Sequence, residues 1–271
     1  MKTIIAPVDF SDSSINALEF AAELAKRAKA RLLLMHAFES SREESGAAEK
    51  LKSVESDLKK TFGKELNCEM LLSKGNLVAA VKKAISAQQP DLIVMGTKGA
   101  SGLKRILIGS NAVNVIAKTK FPVLVIPEAA RFKNFLKVGK TRIVLATNLE
   151  LLKNESVLNI LKDIALMIME PKVRVLSVRP KDTRLNLIRQ LERDRLLGFF
   201  SPELESERIT VFSGNVIDGI NFYLKKNEDT GLLAMVARDS GFLIQKHYTR
   251  EMASQTHLPL LILHDYIKPK K

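Results

Sequence analysis

The chain is poor in the residues that build disulfide frameworks, metal clusters and aromatic platforms. Its 271 residues include one cysteine, no tryptophan and three tyrosines. A single cysteine excludes a disulfide framework and a thiolate metal cluster, and the four scattered histidines lack metal-ligand spacing such as HExxH. Glycine (13) and proline (9) are too few for a fibrous or low-complexity chain. The composition indicates a globular protein in which Cys68 is most simply an inert apolar residue.

Long apolar runs are also missing. The nearest approach to the roughly 20 apolar residues of a membrane-spanning helix is Val157–Met169, which Lys162 and Asp163 interrupt. The first residues reach Asp9 too soon for the apolar core of a signal peptide. We therefore expect a cytoplasmic protein without a membrane partner.

Positively charged residues are in excess, but they are not concentrated in any one stretch of the chain. The net charge is +13, of which +5 falls in residues 1–130 and +8 in residues 131–271. Because the excess is spread, with no arginine-rich arm and few aromatic residues, nucleic acid is not the expected partner. Anionic small molecules are the partners that this charge fits best.

The chain contains two copies of one unit, because three landmarks recur in the same order 137 to 139 positions apart. The pairs are Ile4–Phe10 with Ile143–Leu149, then Gly75-Asn76 (within Ser73–Leu77) with Gly214-Asn215 (within Ser213–Ile217), and Thr119–Ile126 with Thr256–Leu263. A charged stretch near Glu128–Gly139 separates the copies. We therefore predict two domains, residues 1–130 and 140–271.

Each copy alternates apolar runs with amphipathic helical patterns, which is typical of a doubly wound parallel five-stranded sheet. In the first copy, strands are predicted near 3–8, 31–37, 66–72, 91–96 and 122–126, with helices near 12–29, 46–62, 76–87 and 110–118. In the second, strands are predicted near 142–147, 173–178, 207–212, 231–236 and 259–263, with helices near 151–168, 182–197, 216–227 and 244–254.

Open α/β sheets bind ligands beyond the carboxyl ends of their strands, so the loops after strands 1 and 4 are the first candidates for a site. The loop Pro7–Ser14 contains no glycine, so it is neither a dinucleotide-binding GxGxxG loop nor a P-loop. Asp9 stands where the strand ends and can accept hydrogen bonds from a ribose hydroxyl or an adenine amino group. Alternatively, Asp9 or Ser11 simply caps the following helix.

The loop after strand 4, Gly96–Asn111, is rich in glycine and ends at the start of a predicted helix. Glycines let backbone amides approach a phosphate, and the free amides of a helix N-terminus attract anions. Ser110 can add a hydroxyl donor, and Lys98, Lys104 and Arg105 are available countercharges. The alternative is a flexible glycine loop followed by a serine cap.

The spacing of this loop resembles the nucleotide-binding motif of the universal stress protein family. The motif is reproduced by Gly96, Gly99 and the pair Gly109-Ser110, with two residues between the first two glycines and nine between Gly99 and Gly109. The opening Pro7–Asp9 and the closing Pro122–Val125 are also similar to the family. The resemblance covers residues 1–127 closely and the rest of the chain more loosely, which identifies the chain as a tandem member.

The resemblance implies an adenine nucleotide α-hydrolase-like, Rossmann-like fold in a pseudo-dimeric chain, and a first domain of the ATP-binding subtype, with or without Mg²⁺. Asp9 would contact ribose or adenine, and the base pocket would be lined by Pro7, Val8, Ala37 and Met95. The phosphates would be held by Gly96, Gly99, Gly109, Ser110 and Asn111. Family members commonly pair through the last strand, which implies that the two halves pair within this chain; a homodimer of chains is left open.

The second copy departs from the motif. Asn148 replaces Asp9, and no Gly-Ser pair precedes Pro259. We therefore predict a degenerate domain that does not bind ATP in the manner of the first. Arg238 and Lys246 leave room for another anionic ligand.

The site loops contain no catalytic triad, acid–base pair or metal cluster. His36 is either a base or, more simply, a packed or hydrogen-bonded strand histidine, while Asp9 and Asp12 could hold Mg²⁺ only through water. The resulting hypothesis is an ATP-binding stress-response or regulatory protein with at most slow ATP hydrolysis. The alternatives are a nucleotide-free interaction or scaffold protein of the same fold and an ATP-hydrolysing enzyme.

Overall fold

The structure is a computed structural model that describes residues 1–97, 110–132, 142–168, 170–238, 252 and 257–265. The chain divides into two compact units, Met1–Ala129 and Ala130–Lys271. In each unit, parallel strands alternate with helices. Among the helices of the described residues, none is both long enough and apolar enough to cross a membrane.

The first unit is built on five parallel strands. Its elements are β1 (Thr3–Pro7), α1 (Asp12–Ala28), β2 (Arg31–Phe38), α2 (Ser41–Phe62), β3 (Cys68–Lys74), α3 (Leu77–Gln88), β4 (Leu92–Gly96), α4 (Ser110–Thr119) and β5 (Val123–Ile126). The strands lie in the order β3-β2-β1-β4-β5. The chain therefore winds outward from β1 to β3 and then returns to β4, so the strand order reverses between β1 and β4.

Helices cover both faces of this sheet. Helix α1 contacts α2, and helix α3 contacts α4. Right-handed crossovers place these two pairs on opposite faces, because the chain runs in opposite directions along the sheet before and after its return. Leu92, Ile93 and Val94 of β4 are accordingly fully buried, as a strand covered on both faces requires. The predicted doubly wound fold is confirmed.

The second unit repeats this topology with the strand order β8-β7-β6-β9-β10. Its elements are β6 (Arg142–Ala146), a 3₁₀ turn (Glu155–Leu158), α5 (Asn159–Leu166), β7 (Lys172–Arg179), α6 (Leu187–Phe200), β8 (Glu205–Phe212), α7 (Val216–Lys226), β9 (Thr230–Arg238) and β10 (Leu260–Asp265). The predicted helix 244–254 lies outside the described residues, apart from Met252.

Three helices begin elsewhere than predicted, and polar side chains explain each difference. Helix α2 begins before 46 because the Glu43 carboxylate accepts a hydrogen bond from the Ser40 backbone N–H at 3.5 Å, as in a capping box. Helix α6 begins after 182 because the Asn186 side chain caps it. The helix predicted from 151 begins only with the 3₁₀ turn, because the Asp265 carboxylate accepts the Lys153 N–H at 2.9 Å and holds this stretch outside the helix.

Candidate functional site

A cleft of about 270 Å³ opens at the carboxyl ends of β1, β2 and β4, where the strand order of the first unit reverses. This is the position at which open α/β sheets bind ligands. The cleft is lined by Pro7, Val8, Asp9, Ser14, His36, Ala37, Glu39, Gly75, Asn76, Leu77, Met95, Gly96, Thr97, Asn111 and Ala112.

Four separate segments of the chain bring predicted site residues to this cleft. The predicted residues that line it are Pro7, Val8, Asp9, Ala37, Met95, Gly96 and Asn111. Ser110 begins α4 and is exposed, but it does not line the cleft. Gly99 and Gly109 lie outside the described residues. The fold thus gathers most of the predicted set, whose roles toward a ligand stay predictions.

Asp9 and Ser11 together organise the start of α1. One carboxylate oxygen of Asp9, Oδ1, accepts the Ser11 backbone N–H at 3.1 Å and the Ser11 hydroxyl at 2.5 Å. The Ser11 hydroxyl in turn accepts the Ser14 backbone N–H at 3.2 Å. Ser11 is therefore the helix cap, and Asp9 orients that cap while lining the cleft.

Gly96 lets β4 end against the first turn of α1. A Cβ atom at Gly96 would lie 2.6 Å from the carbonyl oxygen and 2.9 Å from the carbonyl carbon of Ser13. Both are backbone atoms, so no change of side-chain conformation can make room. The absence of a side chain at Gly96 thus sets how closely the two walls of the cleft approach each other.

Helix N-termini surround the cleft. Helices α1, α3 and α4 all begin at the edge where the strands end. Because the N-terminal end of a helix carries a partial positive charge and unbonded N–H groups, this edge favours an anion.

The α3 side of the cleft was not among the predicted site residues. Gly75, with a φ of +118°, turns the chain, and the Asn76 side chain accepts the Ala79 N–H at 3.0 Å as the cap of α3. Both residues line the cleft together with Leu77. A signal was present in the sequence, since Gly75-Asn76 follows a strand of the same sheet and recurs as Gly214-Asn215.

His36 is a hydrogen-bonded strand histidine, as the simpler interpretation predicted. Its Nδ1 atom lies 2.7 Å from the Val8 carbonyl oxygen. Nearby, the pKa of the Glu43 carboxyl is lowered, chiefly because it accepts the backbone N–H of Glu39 and secondarily that of Ser40.

In the second unit, charged side chains cover the loop that follows β6. The Arg238 guanidinium donates hydrogen bonds to the Glu150 carbonyl and, at 3.1 Å, to the Leu151 carbonyl. The Asp265 carboxylate accepts the Lys153 N–H at 2.9 Å. Both charged side chains are more than nine-tenths buried.

The guanidinium of Arg238 is therefore occupied by hydrogen bonds to its own chain. Burial lowers the pKa of the guanidinium, while the carboxylates of Asp265 and Glu150 oppose that effect. Arg238 was an open candidate for a second anionic ligand, and its bonds to two carbonyls argue against that role. The other candidate, Lys246, lies outside the described residues.

Cys68 is expected to be unreactive in the folded protein. It begins β3, is buried, and its thiol has a pKa raised to about 12, chiefly by burial and further by Glu55. Only a thiolate attacks a disulfide reagent, so a thiol-specific disulfide reagent near neutral pH should label no thiol in native protein and one per chain in denaturant. Rapid labelling of the native protein would contradict this expectation.

The fold and the cleft together define a class of protein: an α/β protein of two similar units, whose first sheet has a cleft where its strand order reverses. The chain belongs to the universal stress protein family, as the two curated relatives described in the next paragraph show. The family model described as "Universal stress protein family" matches residues 1–127. The Archaeoglobus fulgidus universal stress protein structure aligns with 97% of this chain and 98% of its own, with a TM-score of 0.73 at 17% identity. That likeness shows the fold, and it extends over both units.

Two curated relatives match about half of the chain. Universal stress protein MJ0531 of Methanocaldococcus jannaschii is 33% identical over 140 residues, which are 46% of this chain and 81% of that protein. A universal stress protein of Thermus aquaticus, named for the 3′ region of the QAH/OAS sulfhydrylase gene, is 30% identical over 135 residues, which are 46% of this chain and 98% of that protein.

Proposed function

We propose that the first unit binds an adenine nucleotide, with ATP as the principal ligand, and that the protein acts as a nucleotide-dependent stress-response or regulatory protein. The observation that carries the proposal is the convergence of the β1 loop, the end of β2, the end of β4 and the start of α4 on one cleft. A random set of predicted residues would not meet in this way at the switch point of the sheet.

The chemistry of the cleft supports a nucleotide oriented across the strands. The apolar side chains of Val8, Ala37 and Met95 suit a base, while the Asp9 carboxylate suits a hydroxyl or amino donor. The N-terminus of α4 and the end of β4 at Gly96 suit phosphates. This polarity favours a nucleotide over the nucleotide-free interaction protein.

The residues of the first unit could help to hold Mg²⁺ through water, without coordinating it directly. Within the described residues, no three His, Cys, Asp or Glu side chains form a metal-binding group. One oxygen of Asp9 already accepts two hydrogen bonds from Ser11. Mg²⁺ would therefore be held mainly by the nucleotide phosphates and water, and any hydrolysis of ATP would be slow.

The test is calorimetric titration of ATP, ADP and AMP into the whole protein. We expect one ATP per chain, and Asp9→Asn should weaken binding about 10- to 100-fold, the usual value of a charged hydrogen bond. Asn148→Ala, at the equivalent position of the second unit, is the matched control and should leave the affinity unchanged.

Other results of this titration would favour the alternatives. If no heat is measured with the wild-type protein, the nucleotide-free interaction protein becomes the favoured function. If phosphate is released over many cycles per second, an ATP-hydrolysing enzyme is favoured. Pairing of the two halves through their last strands, and association of chains, stay predictions. Native mass spectrometry of the purified protein tests chain association and shows any retained nucleotide.

A further inference from the structure

The turn that presents Asp9 is held on both sides by one side chain, that of His36. Before Asp9, the Val8 carbonyl oxygen lies 2.7 Å from His36 Nδ1. After Asp9, the Phe10 ring centroid lies 4.7 Å from the imidazole centroid. Phe10 has a φ of +63°, which is rare for a bulky residue. His36 thus contacts both neighbours of the carboxylate that lines the cleft.

The hydrogen bond to Val8 determines where the imidazole carries its proton. A carbonyl oxygen can only accept, so Nδ1 must be the donor. The neutral ring is then the Nδ1–H tautomer, with Nε2 unprotonated. Protonation of Nε2 would leave this Nδ1–H donor in place, so the contact to Val8 exists in either charge state.

The second unit forms the same turn without a histidine. Thr147 N donates to Leu176 O at 2.9 Å, as Val8 N donates to Met35 O at 2.8 Å, which makes Leu149 the counterpart of Phe10. Leu149 has a φ of +58°, close to that of Phe10. The backbone conformation is therefore a property of the fold.

The counterpart of His36 has a different partner. The residue after Leu176 is Ser177, whose hydroxyl donates to the Ile209 carbonyl at 3.4 Å. A histidine is therefore not required to build the turn. The clamp on Val8 and Phe10 is found in the unit that carries the cleft, which points to a role in the site rather than in folding.

We propose that His36 is a positioning residue of the nucleotide site. It holds the Val8 carbonyl and the Phe10 ring so that the Asp9 carboxylate keeps its orientation toward the ligand. This inference rests on the proposed function, but the clamp itself exists in the ligand-free protein and can be observed there.

The first experiment is nitrogen NMR of the histidine side chains in the ligand-free, whole protein, with His36→Gln used to assign the signal. The expected result is an Nδ1–H tautomer for neutral His36. An Nε2–H tautomer would remove the donor to Val8 and overturn the proposal, whatever the protein binds.

The second experiment measures ATP affinity in the whole protein. His36→Leu should weaken binding about tenfold, the value of one hydrogen bond lost without replacement. His36→Gln, whose amide can donate to Val8, should restore most of the affinity. Ser177→Ala, at the counterpart position in the second unit, is the matched control and should leave the affinity for ATP unchanged.

A double-variant cycle separates positioning from general destabilisation. If His36 acts through Asp9, then His36→Leu combined with Asp9→Asn should weaken binding by less than the product of the two single effects. If the two substitutions weaken ATP binding independently in folded variants, or if His36→Leu binds ATP with wild-type affinity, the positioning role is overturned. The proposed function would then still stand. Failure of the wild-type protein to bind any adenine nucleotide would overturn both this role and the proposed function.

Discussion

Gly96→Ala is expected to destabilise the first unit by about 1–3 kcal/mol, the usual cost of overpacking, and to weaken ATP binding at least about tenfold. The new methyl group would lie 2.6 Å from the Ser13 carbonyl oxygen. Helix α1 must therefore move away from β4. That movement displaces Ser11, and with it the hydrogen bonds that orient Asp9.

A matched control exists in the same unit. Gly46 lies within α2, and a Cβ atom added there would meet no atom within 4 Å. Gly46→Ala should raise stability by about 0.5–1 kcal/mol through helix propensity and leave ATP affinity unchanged. Thermal unfolding and titration of both variants make the comparison. A Gly96→Ala protein with wild-type stability and ATP affinity would show that neither property depends on the close approach of β4 to α1.

Glu192→Leu is expected to destabilise the second unit by about 2–3 kcal/mol. Glu192 is fully buried; its Oε1 accepts the Leu152 N–H at 3.2 Å, and both of its oxygens accept hydrogen bonds from Arg195 at 2.8 Å. The Arg195 side chain is 32% exposed and also pairs with Glu155. For that reason we place the cost below the roughly 3–5 kcal/mol typical of breaking a wholly buried pair.

Two further variants calibrate this prediction. Asp194→Ala removes an exposed partner of Arg193 on the same helix and should cost less than about 0.5 kcal/mol. Glu192→Gln keeps an acceptor for the Leu152 N–H and should be intermediate. Denaturation followed by tyrosine fluorescence and circular dichroism gives the free energies. Equal stability of Glu192→Leu and Asp194→Ala would show that the buried carboxylate contributes little.

The same Glu192→Leu protein also tests whether the nucleotide site is confined to the first unit. We propose one ATP per chain, bound by residues 1–130, so ATP affinity should remain at the wild-type value while the second unit is weakened. A parallel loss of affinity would mean that the second unit contributes to the site, which would correct the assignment of function to the first unit alone.

Several features of the fold were predictable because they depend on local patterns. The apolar runs predicted strands such as that near 91–96, whose Leu92, Ile93 and Val94 are fully buried, and the amphipathic pattern predicted the helix near 12–29, which is α1. The helix boundaries were less predictable, since a single side chain can move them. Asp265 holds Lys153 outside a helix from 112 positions away, and no local pattern reports such a contact.

The sequence by itself determined the repeat, the alternation of strands and helices, and which loops follow the carboxyl ends of the strands of the first sheet. These follow from periodicity and from residue types at fixed spacing, which act over a few neighbouring positions. Only the tertiary structure decided that His36 clamps the turn around Asp9, that Gly75 and Asn76 join the cleft, and that Arg238 binds the backbone of its own chain. Each of these depends on groups that are distant in the sequence and close in space, and packing rather than local propensity sets which of them meet.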